Sequence, residues 1–329
     1  MSNSSLATKA ILLVGGKGTR LAPLTNQIPK PMLKVAGKPV TEHQIVKARE
    51  AGIKEIVLAT SYMAEVFEPY FGDGSKFGIS IRYAVEEVPL GTGGAIANAA
   101  QMLELLEGES VVVFNGDVLS GHDLSKQISQ HSSTIADVTL YLTEVQDARA
   151  YGCVPLDKEG RVLEFLEKMD NPKANTINAG CYVFSSRALS EIPRNSVVSV
   201  ERDTFPLLLQ KKFKMYGYTD GRYWIDMGTP QSFLKASRDL ILDPSLSSAT
   251  DSVVSESLIE AGVFVDHTAR VGGGSMVSAG VRIGAGATVM GSMLMNDVEI
   301  GEGSTVIDSY IAPGFKVPSS TEIVGKILG

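Results

Sequence analysis

The pattern of apolar and polar positions along the chain changes near residue 240. Before that point, short apolar runs alternate with stretches of helical periodicity, which predicts strands and helices in turn. The predicted strands are 10–14, 55–60, 80–85, 110–115 and 137–145, and the predicted helices include 42–51 and 92–106. Alternation of this kind is typical of an α/β domain, here a Rossmann-like, mostly parallel sheet with helices on both faces.

After residue 257, aliphatic residues recur every six positions, with small residues and glycines between them. The repeating positions are Val265, Val271, Val277, Ile283, Val289, Leu294, Ile300, Val306, Ile311, Val317 and Ile323, with one-residue slips before Leu294 and Ile311. A six-residue period is the signature of a hexapeptide coil, in which three short strands close each turn of a left-handed parallel β-helix. The stretch suffices for about four turns, which bury their faces by stacking on each other.

The two patterns divide the 329 residues into parts. We expect a disordered N-terminal extension over 1–8, an α/β domain over 9–243, a linker over 244–257 and the coil over 258–329. Hexapeptide coils occur in acyltransferases, where a histidine often carries the chemistry, and as assembly modules. The coil contains a single histidine, His267, which favours a structural or self-associating role over acyl transfer.

Composition narrows the function classes. Hydrophobic residues make up 44% and charged residues 20% of the chain, as in ordinary globular proteins. The net charge of −7 argues against non-specific nucleic-acid binding, which needs a basic surface. Cys153 and Cys181 are too few for a disulfide framework, and the polar N-terminus lacks the apolar run of a signal peptide or membrane anchor. We therefore expect a cytoplasmic protein without nucleic-acid or membrane partners.

The largest group of candidate functional residues follows the first predicted strand. It consists of the run GGKGTRLAPLT over residues 15–25 and of PKP over residues 29–31. A glycine-rich turn after a buried strand lets main-chain N–H groups point at a ligand. Because Arg20 and Lys30 would add positive charge, the run predicts a cradle for a polyphosphate, whereas a bare glycine loop is often only a tight turn. The spacing fits neither G-x-x-x-x-G-K-[ST] nor G-x-G-x-x-G, since Leu21 stands where the latter needs its third glycine.

Two carboxylates far apart in the sequence each follow an apolar run. Asp117 lies in NGD over residues 115–117, and Asp226 lies in WIDMG over residues 224–228. Ligands of parallel sheets bind beyond the carboxyl ends of the strands, where the glycine loop and Asp117 are both expected. Mg²⁺ prefers oxygen ligands and commonly takes one or two carboxylates together with substrate phosphates. The pair is therefore suited to one magnesium ion.

These strings resemble the signature of the sugar-1-phosphate nucleotidylyltransferases, G-x-G-T-R-L-x-P-L-T followed by P-K-P. The likeness continues through EEVPLGTGGA over residues 86–95, YG over 151–152, FLEK over 165–168 and NAG over 178–180. Among the branches of that family, the chain is most similar to the mannose-1-phosphate guanylyltransferases, through ATSYM over residues 59–63, SVERD over 199–203 and the short hexapeptide tail.

The resemblance implies a role for each matching residue. The catalytic set would be Arg20, Lys30, Asp117 and Asp226, with Mg²⁺ held by the two aspartates. The nucleotide-binding set would be Leu13, Gly15, Gly16, Gly18, Thr19, Glu86, Pro89, Gly91 and Thr92. The sugar-phosphate-binding set would be Gly152, Glu167, Lys168 and Asn178.

Glu86 bears on the choice of base. Guanine presents adjacent N1–H and N2–H donors, which suit an ionised carboxylate because that group only accepts hydrogen bonds. Uracil and thymine present a donor flanked by acceptors, which suits an amide side chain. Glu86 therefore indicates guanine. Glu87 is an alternative partner for the base, and the two glutamates could also be a solvent-facing acidic pair without a function.

The implied activity is transfer of a nucleotidyl group from an NTP to a sugar 1-phosphate, giving an NDP-sugar and pyrophosphate. The resemblance and Glu86 together favour GTP and mannose 1-phosphate. Two alternatives stay open: the same reaction with UTP or dTTP and glucose 1-phosphate, and a catalytically silent homologue that binds nucleotide sugar and regulates a partner. Stacked coils also predict a homo-oligomer that assembles through the β-helix.

Overall fold

A computed structural model describes residues 7–16, 18–26, 28–250 and 255–329. The described residues form two compact units, and each is treated by itself. The sheet unit contains residues 7–16 and Gln44–Trp224, and the coil unit contains residues 18–43 and Ile225–Gly329. Most of the predicted extension, residues 1–6, and part of the predicted linker, residues 251–254, lie outside the described residues.

The strands are short, and many have only two or three residues. In the first part of the chain they are β1 Lys9–Leu13, β2 Lys34–Val35, β3 Lys38–Pro39, β4 Glu55–Thr60, β5 Ser80–Val85, β6 Ser110–Asn115, β7 Val118–Ser120, β8 Val138–Glu144, β9 Gly152–Cys153, β10 Leu166–Glu167, β11 Thr176–Ser185, β12 Met215–Thr219 and β13 Trp224–Asp226. In the last part they are β14 Ser257–Ile259, β15 Phe264–Val265, β16 Arg270–Gly272, β17 Ser275–Val277, β18 Arg282–Ile283, β19 Thr288–Met290, β20 Met293–Leu294, β21 Glu299–Ile300, β22 Thr305–Ile307, β23 Tyr310–Ile311, β24 Lys316–Val317, β25 Glu322–Val324 and β26 Ile327–Leu328.

The helices lie before the coil. They are α1 Val40–Glu50, α2 Glu68–Phe71, α3 Gly91–Met102, α4 Leu124–Ser133, α5 Ser186–Leu189, α6 Phe205–Gln210 and α7 Pro230–Leu242. Single 3₁₀ turns occur at Thr19–Leu21, Lys30–Met32, Ala64–Val66, Ser75–Phe77 and Pro244–Leu246, and Val200–Thr204 forms a π-helical turn.

The sheet unit confirms the predicted α/β architecture. Strands β6, β1, β4 and β5 are adjacent in that order and parallel, and α3 packs on β1, β4 and β5. The bounds of β4, β5 and β6 are those predicted, and β1 and β8 differ from the prediction by one residue at each end. Helix α3 ends four residues early because Glu104 adopts a left-handed φ of 45°, which turns the chain out of the helix.

Strand β11 makes the sheet mixed rather than purely parallel. It runs antiparallel to β6 on one side and to β8 on the other, and β12 then pairs in parallel with β8. The inner residues of β1 and β6 are fully buried, as expected for central strands that are covered on both faces. On one face of the sheet, Ile11, Val111 and Val113 join the aromatic side chains of Tyr182, Phe184 and Phe205 in one core.

The coil confirms the hexapeptide prediction. Its strands stack in parallel on three faces, in the orders β14-β17-β20-β23-β26, β15-β18-β21-β24 and β16-β19-β22-β25. Every predicted aliphatic position contributes to one core, in which Val265 and Val271 are partly buried and the others are buried. Strands β14 and β17 of the first face pack on α7, a helix of the same unit, which therefore covers that side of the coil.

Residues 18–43 belong to the coil unit through specific contacts. Lys34 Nζ lies 3.0 Å from Glu260 Oε1, and the main-chain N–H of Ala36 donates to Ser237 Oγ at 3.1 Å. Arg238 on α7 pairs with Asp308 in the coil at 2.9 Å. Among the described residues, no helix combines the length and the apolar character needed to cross a bilayer.

Candidate functional site

The carboxyl ends of four parallel strands meet at one edge of the sheet unit. In the strand register Leu13 is the partner of both Asn115 and Ala59, and Thr60 is the partner of Val85. Gly15, Glu86 and Asp117 follow β1, β5 and β6 at this edge. The structure therefore brings together one end of the glycine loop, the candidate base-binding carboxylate and one candidate metal ligand.

Leu13, Gly15 and Gly16 form the beginning of the glycine loop. Ser61 Oγ donates to the main-chain oxygen of Gly15 at 2.6 Å, which ties the loop to the end of β4. Gly16 is exposed, and a side chain there would meet no atom within 4 Å. Its surroundings therefore leave open space beside the main chain. Lys17 lies outside the described residues.

Glu86 combines burial with an unmet acceptor. Its Oε2 accepts from the main-chain N–H of Leu90 at 3.3 Å, whereas Oε1 is buried and has no hydrogen-bond partner among the described residues. Burial raises the pKa of this carboxyl, and the bond from Leu90 opposes that shift. Glu87, the alternative partner for a base, and Pro89 are both exposed.

The glycines at the start of α3 approach the chain near Val198. A Cβ on Gly91 would lie 2.6 Å from the oxygen of Val198, and Gly91 has a φ of 73°. Thr92 Oγ1 donates to Glu201 Oε2 at 2.8 Å and accepts from the N–H of Val200. The close approach of Gly91 is thus to Val198, just before the π-helical turn that Thr92 contacts, while contact of Gly91 and Thr92 with a base stays a prediction.

Two residues of the sugar-phosphate set lie on the paired strands β9 and β10, and a third, Lys168, directly follows β10. Gly152 and Glu167 are register partners, and a Cβ on Gly152 would lie 2.9 Å from Glu167 Oε2. Lys168 follows with a φ of 50°, an uncommon conformation for a residue with a side chain. Its ammonium group lies 3.7 Å from Glu167 Oε1 and is more than half exposed. The carboxylate and the ammonium group therefore lie side by side.

Asn178 lies at an irregularity of β11, where the register with β8 shifts between Asn178 and Tyr182. Asn178 Nδ2 donates to the Tyr182 hydroxyl at 2.8 Å, and its Oδ1 accepts from the N–H of Gly180. Asn115 Nδ2 donates to the same hydroxyl at 3.3 Å. The buried Tyr182 thereby joins the turn that carries Asp117 to the candidate sugar-binding residue.

The other candidate residues lie in the coil unit. A Cβ on Gly18 would lie 2.9 Å from Lys30 Cβ, and Thr25 Oγ1 donates to the oxygen of Gly18 at 3.0 Å. Thr19 and Arg20 are exposed on the following 3₁₀ turn, whereas Lys30 is buried with only 8% of its surface accessible. The turn after Gly18 therefore packs against the lysine of the PKP string.

Arg20 and Asp226 flank Gly228. A Cβ on Gly228 would lie 3.2 and 3.3 Å from the two carboxylate oxygens of Asp226 and 3.5 Å from Arg20 Nη1. The guanidinium group predicted to bind pyrophosphate and a carboxylate predicted to bind metal thus approach one point within the coil unit. Gly228 keeps that space open because it lacks a side chain.

Sequence reasoning missed the residues that hold the Asp117 turn. Gln44 and Lys47 on α1 donate to main-chain oxygens of residues 115–122. Burial lowers the pKa of Lys47 to about 8, and burial and Lys47 together hold the pKa of His122 well below its usual range. A glutamine and a lysine in a predicted helix carry no local signal for this role, because their partners lie about 75 residues away.

Among the described residues, no group of three or more His, Cys, Asp or Glu side chains is arranged to hold a metal ion. Neither Asp117 nor Asp226 belongs to such a group among the described residues, and each offers carboxylate oxygens. This donor chemistry fits a hard cation that takes only one or two protein ligands and keeps water or phosphate oxygens for the rest.

Residues 9–242 match the family model described as "Nucleotidyl transferase", and residues 243–327 match "GlmU-like, C-terminal hexapeptide". The chain is 48% identical over 288 residues to a mannose-1-phosphate guanylyltransferase of Mycobacterium tuberculosis, covering 87% of this chain and 79% of that protein. It is 35% identical to mannose-1-phosphate guanylyltransferase 1 of Arabidopsis thaliana, covering 85% of this chain and 78% of the relative.

Solved structures agree with the fold. The crystal structure of HddC from Yersinia pseudotuberculosis complexed with GMP-PN is similar with a TM-score of 0.59 and 29% identity, over 71% of this chain and 99% of that one. A putative glucose-1-phosphate thymidylyltransferase from Bacillus anthracis matches with a TM-score of 0.64 at 24% identity, over 70% of this chain and 94% of that one, which shows the shared fold alone. The chain belongs to the nucleotidyl transferase family and is a nucleotidyltransferase with a C-terminal hexapeptide β-helix.

Proposed function

We propose that this protein transfers a guanylyl group from GTP to mannose 1-phosphate, giving GDP-mannose and pyrophosphate. Two relatives that the chain covers over more than three quarters of their length carry that activity in their names. The similar HddC structure was solved with GMP-PN, a guanine nucleotide analogue. Within this chain, the proposal rests mainly on the carboxylate of Glu86.

Glu86 reads the base in this proposal. An ionised carboxylate can accept from both N1–H and N2–H of guanine, and Oε1 is a buried acceptor with no partner in the described protein. A buried polar atom without a partner is unfavourable, so a base N–H that reached it would be favoured. The exposed Glu87 has no such unmet acceptor among the described contacts, which favours Glu86 over its neighbour.

The phosphates are held by positive charge and main-chain N–H groups. Arg20 and the amides of residues 15–19 bind the departing β- and γ-phosphates, and Lys30 neutralises charge that builds on the α-phosphate. Two local observations support these assignments. Arg20 is exposed beside Gly228, and Gly16 has open space around its main chain. Oriented amides and cations are effective for a triphosphate since they need little reorganisation during the reaction.

Members of this family generally use a divalent metal, and we propose Mg²⁺ held by Asp117 and Asp226. The fit rests on donor chemistry, since each carboxylate offers hard oxygen ligands and neither belongs to a larger described cluster of ligating side chains. When bound, the ion would supply positive charge that stabilises the negative charge of the phosphates.

The sugar 1-phosphate is bound by Gly152, Glu167, Lys168 and Asn178. Glu167 can accept from two neighbouring hydroxyls, and the N–H of Gly152 and the amide of Asn178 bind others. Lys168 holds the phosphate that acts as nucleophile, with its exposed ammonium group next to Glu167. The Tyr182 hydroxyl supports this assignment, because its bond from Asn178 orients that amide.

In the reaction an oxygen of the sugar phosphate attacks the α-phosphorus in line, and pyrophosphate leaves from the opposite side. The bond to the β-phosphate oxygen breaks as the new phosphorus–oxygen bond forms, so no covalent enzyme intermediate is needed. Catalysis then consists of positioning and charge stabilisation by the residues named above.

A matrix of nucleotides and sugar phosphates tests this function. GTP, UTP, dTTP and ATP are each combined with mannose 1-phosphate and glucose 1-phosphate, and pyrophosphate release is measured. GTP with mannose 1-phosphate is expected to give the highest kcat/KM. A maximum with UTP or dTTP would refute the base assignment, and binding of GDP-mannose without pyrophosphate release from any pair would refute catalysis.

We also propose an oligomeric state and a cellular location for the protein. The three-faced coil favours a homo-oligomer, which size-exclusion chromatography with light scattering would detect. A cytoplasmic location is favoured by Cys153 and Cys181, which are both buried free thiols.

A further inference from the structure

Helix α1 binds the turn that carries Asp117 through two side chains that are one helical turn apart. Gln44 Nε2 donates to the main-chain oxygens of Asn115 at 2.8 Å and Val118 at 2.9 Å. Lys47 Nζ donates to the main-chain oxygens of Ser120 at 2.6 Å and His122 at 2.7 Å. Residues i and i+3 share a helix face, so a single face of α1 fixes the segment from 115 to 122.

The two oxygens bound by Gln44 belong to the residues on either side of Gly116-Asp117. Both partners are carbonyls, so the amide nitrogen of Gln44 must face them, and its orientation is settled by chemistry. Gln44 is buried with 4% of its surface accessible, and within the part of the chain that the structure describes its Oε1 has no hydrogen-bond partner. Both N–H bonds of the side-chain amide are therefore used on the main chain that flanks Asp117.

A main-chain hydrogen bond to β1 also holds this turn. The N–H of Gly116 donates to the oxygen of Leu13 at 3.0 Å, and a Cβ on Gly116 would clash with that oxygen. The main chain before Asp117 is thus fixed by β1, and the main chain on both sides is fixed by α1. Little freedom is left for the Asp117 backbone, and the direction of its side chain follows from that backbone.

We infer that Gln44 is a positioning residue for the Asp117 carboxylate and sets the affinity of the protein for the catalytic metal. This inference rests on the proposed role of Asp117 as a metal ligand. A carboxylate that binds Mg²⁺ must lie at a well-defined distance from the ion, because Mg²⁺ demands near-ideal octahedral geometry. Loss of the Gln44 amide removes one hydrogen bond from each of the two carbonyls beside Asp117 and lets the turn shift, which moves the ligand.

The chain contains a matched control in Gln127 on α4. This glutamine is fully buried, and its Nε2 donates to the main-chain oxygens of Thr139 and Cys181 at 3.2 Å each. It therefore makes the same kind of bridge between two carbonyls at a similar depth, but neither carbonyl flanks Asp117. Unlike Gln44, it also has a partner for its Oε1, which lies 3.1 Å from His122 Nε2. Gln44→Met and Gln127→Met remove the same groups and nearly conserve side-chain volume.

The experiment compares metal binding and kinetics of the two variants. Mn²⁺ is titrated into the full-length protein with GTP present and sugar phosphate absent, and free Mn²⁺ is followed by electron paramagnetic resonance. Gln44→Met is expected to raise the Mn²⁺ dissociation constant and the Mg²⁺ concentration for half-maximal rate about tenfold, with the KM for sugar 1-phosphate within twofold of wild type. Gln127→Met is expected to lower the melting temperature while both metal constants stay within twofold.

Equal shifts in both variants would overturn the inference, as would unchanged metal constants in a folded Gln44→Met protein. If Gln44→Met does not fold, Gln44→Asn is used, which keeps the amide but shortens its reach by one carbon. It is expected to raise the metal constants by a smaller factor, and unchanged constants there would also overturn the inference. Asp117→Asn is measured in parallel. If it too leaves the metal constants unchanged, the proposed role of Asp117 fails, whereas a shift in Asp117→Asn alone refutes only the part assigned to Gln44.

Discussion

The coil and the sheet edge around Asp117 are stabilised by opposite kinds of contact. In the coil, each aliphatic residue stacks on equivalents about seventeen residues before and after it, as Val289 pairs with Val271 and Val306. At the sheet edge each contact occurs once, such as Gln44 with Asn115 or Ser61 with Gly15. The repeated contacts of the coil each contribute a part of its stability. A contact that occurs once at the sheet edge fixes the position of one functional group.

This difference explains where each region is sensitive to change. Stability in a repeat array is approximately a sum of repeat and neighbour terms, so one substitution weakens the coil without redirecting any particular atom. A substitution at the sheet edge alters a position that the chemistry depends on. We therefore expect coil variants to lose stability and edge variants to lose rate or specificity.

The largest effect is expected for Asp117→Asn. Removing one charged contact to the transferring group typically costs ~3 kcal/mol of barrier, which is about a hundredfold in rate. Turnover should fall by at least that factor in the pyrophosphate-release assay, while the melting temperature stays within a few degrees of wild type. Lys30→Ala should show a loss of similar size, because Lys30 is proposed to act on the α-phosphate.

Asp73→Asn is the control for this comparison. Asp73 is exposed and its main-chain oxygen accepts from the N–H of Ile81 near the amino end of β5, at the opposite edge of the sheet. Its substitution should leave turnover unchanged. Turnover of Asp117→Asn within a few-fold of wild type would contradict the catalytic assignment.

The next effect concerns the coil. Val289→Ala removes two methyl groups from a fully buried position and should lower the free energy of unfolding by about 2 kcal/mol. Urea denaturation followed by circular dichroism measures this loss, and kcat/KM should stay within twofold of wild type at 25 °C. A tenfold loss of kcat/KM without a loss of stability would remove the distinction between the two regions.

A smaller change in specificity is expected for Glu86→Gln. The amide presents a donor where guanine requires an acceptor, so the ratio of kcat/KM for GTP over UTP should fall at least tenfold, about 1.4 kcal/mol. Glu87→Gln serves as the matched control and should leave the ratio unchanged. The opposite ranking of the two variants would transfer the role to Glu87.

The smallest effect is a pH dependence that separates the two regions. His131 is buried between Ser110 Oγ and Thr139 Oγ1, and burial lowers its pKa to about 4. The unfolded chain binds this proton near pH 6.5 and the folded protein does not. Stability contributed by the neutral histidine is therefore complete above pH 6.5 and is lost as the pH falls towards 4.

Between pH 6.5 and 5.5 this histidine should cost the sheet unit about 1 kcal/mol. The coil contains only His267, whose side chain is 90% exposed, so its stability should not depend on a buried histidine. Hydrogen exchange at the two pH values would show weaker protection in β6 and β8 before any change in the coil. His131→Gln should reduce that loss, and an equal loss in wild type and variant would contradict the assignment.

Much of the fold could be predicted because its signals are local or periodic. The runs that became β4 and β6 have continuous apolar centres with polar residues at their ends, and the coil repeats its signal in every turn. The sequence also placed Asp117 directly after a central strand, and strand adjacency then brought it beside the end of β1.

The rest depends on contacts between distant segments. Nothing near Asn178 indicates that β11 would run antiparallel between β6 and β8, or that Tyr182 would accept bonds from two asparagines. The resemblance assigns Gly91 to nucleotide binding, and no local signal indicates that the glycines at 91, 93 and 94 also lie close to residues near Val198. Those partners lie about a hundred residues away, which no window of the sequence can reveal.

The most direct test of the account follows the label of GTP into products. With mannose 1-phosphate and Mg²⁺, GTP labelled at the α-phosphate should give labelled GDP-mannose, and GTP labelled at the γ-phosphate should give labelled pyrophosphate and unlabelled sugar nucleotide. Recovery of the γ-label on the sugar, or of the α-label only in GTP or GMP, would contradict nucleotidyl transfer to the sugar phosphate.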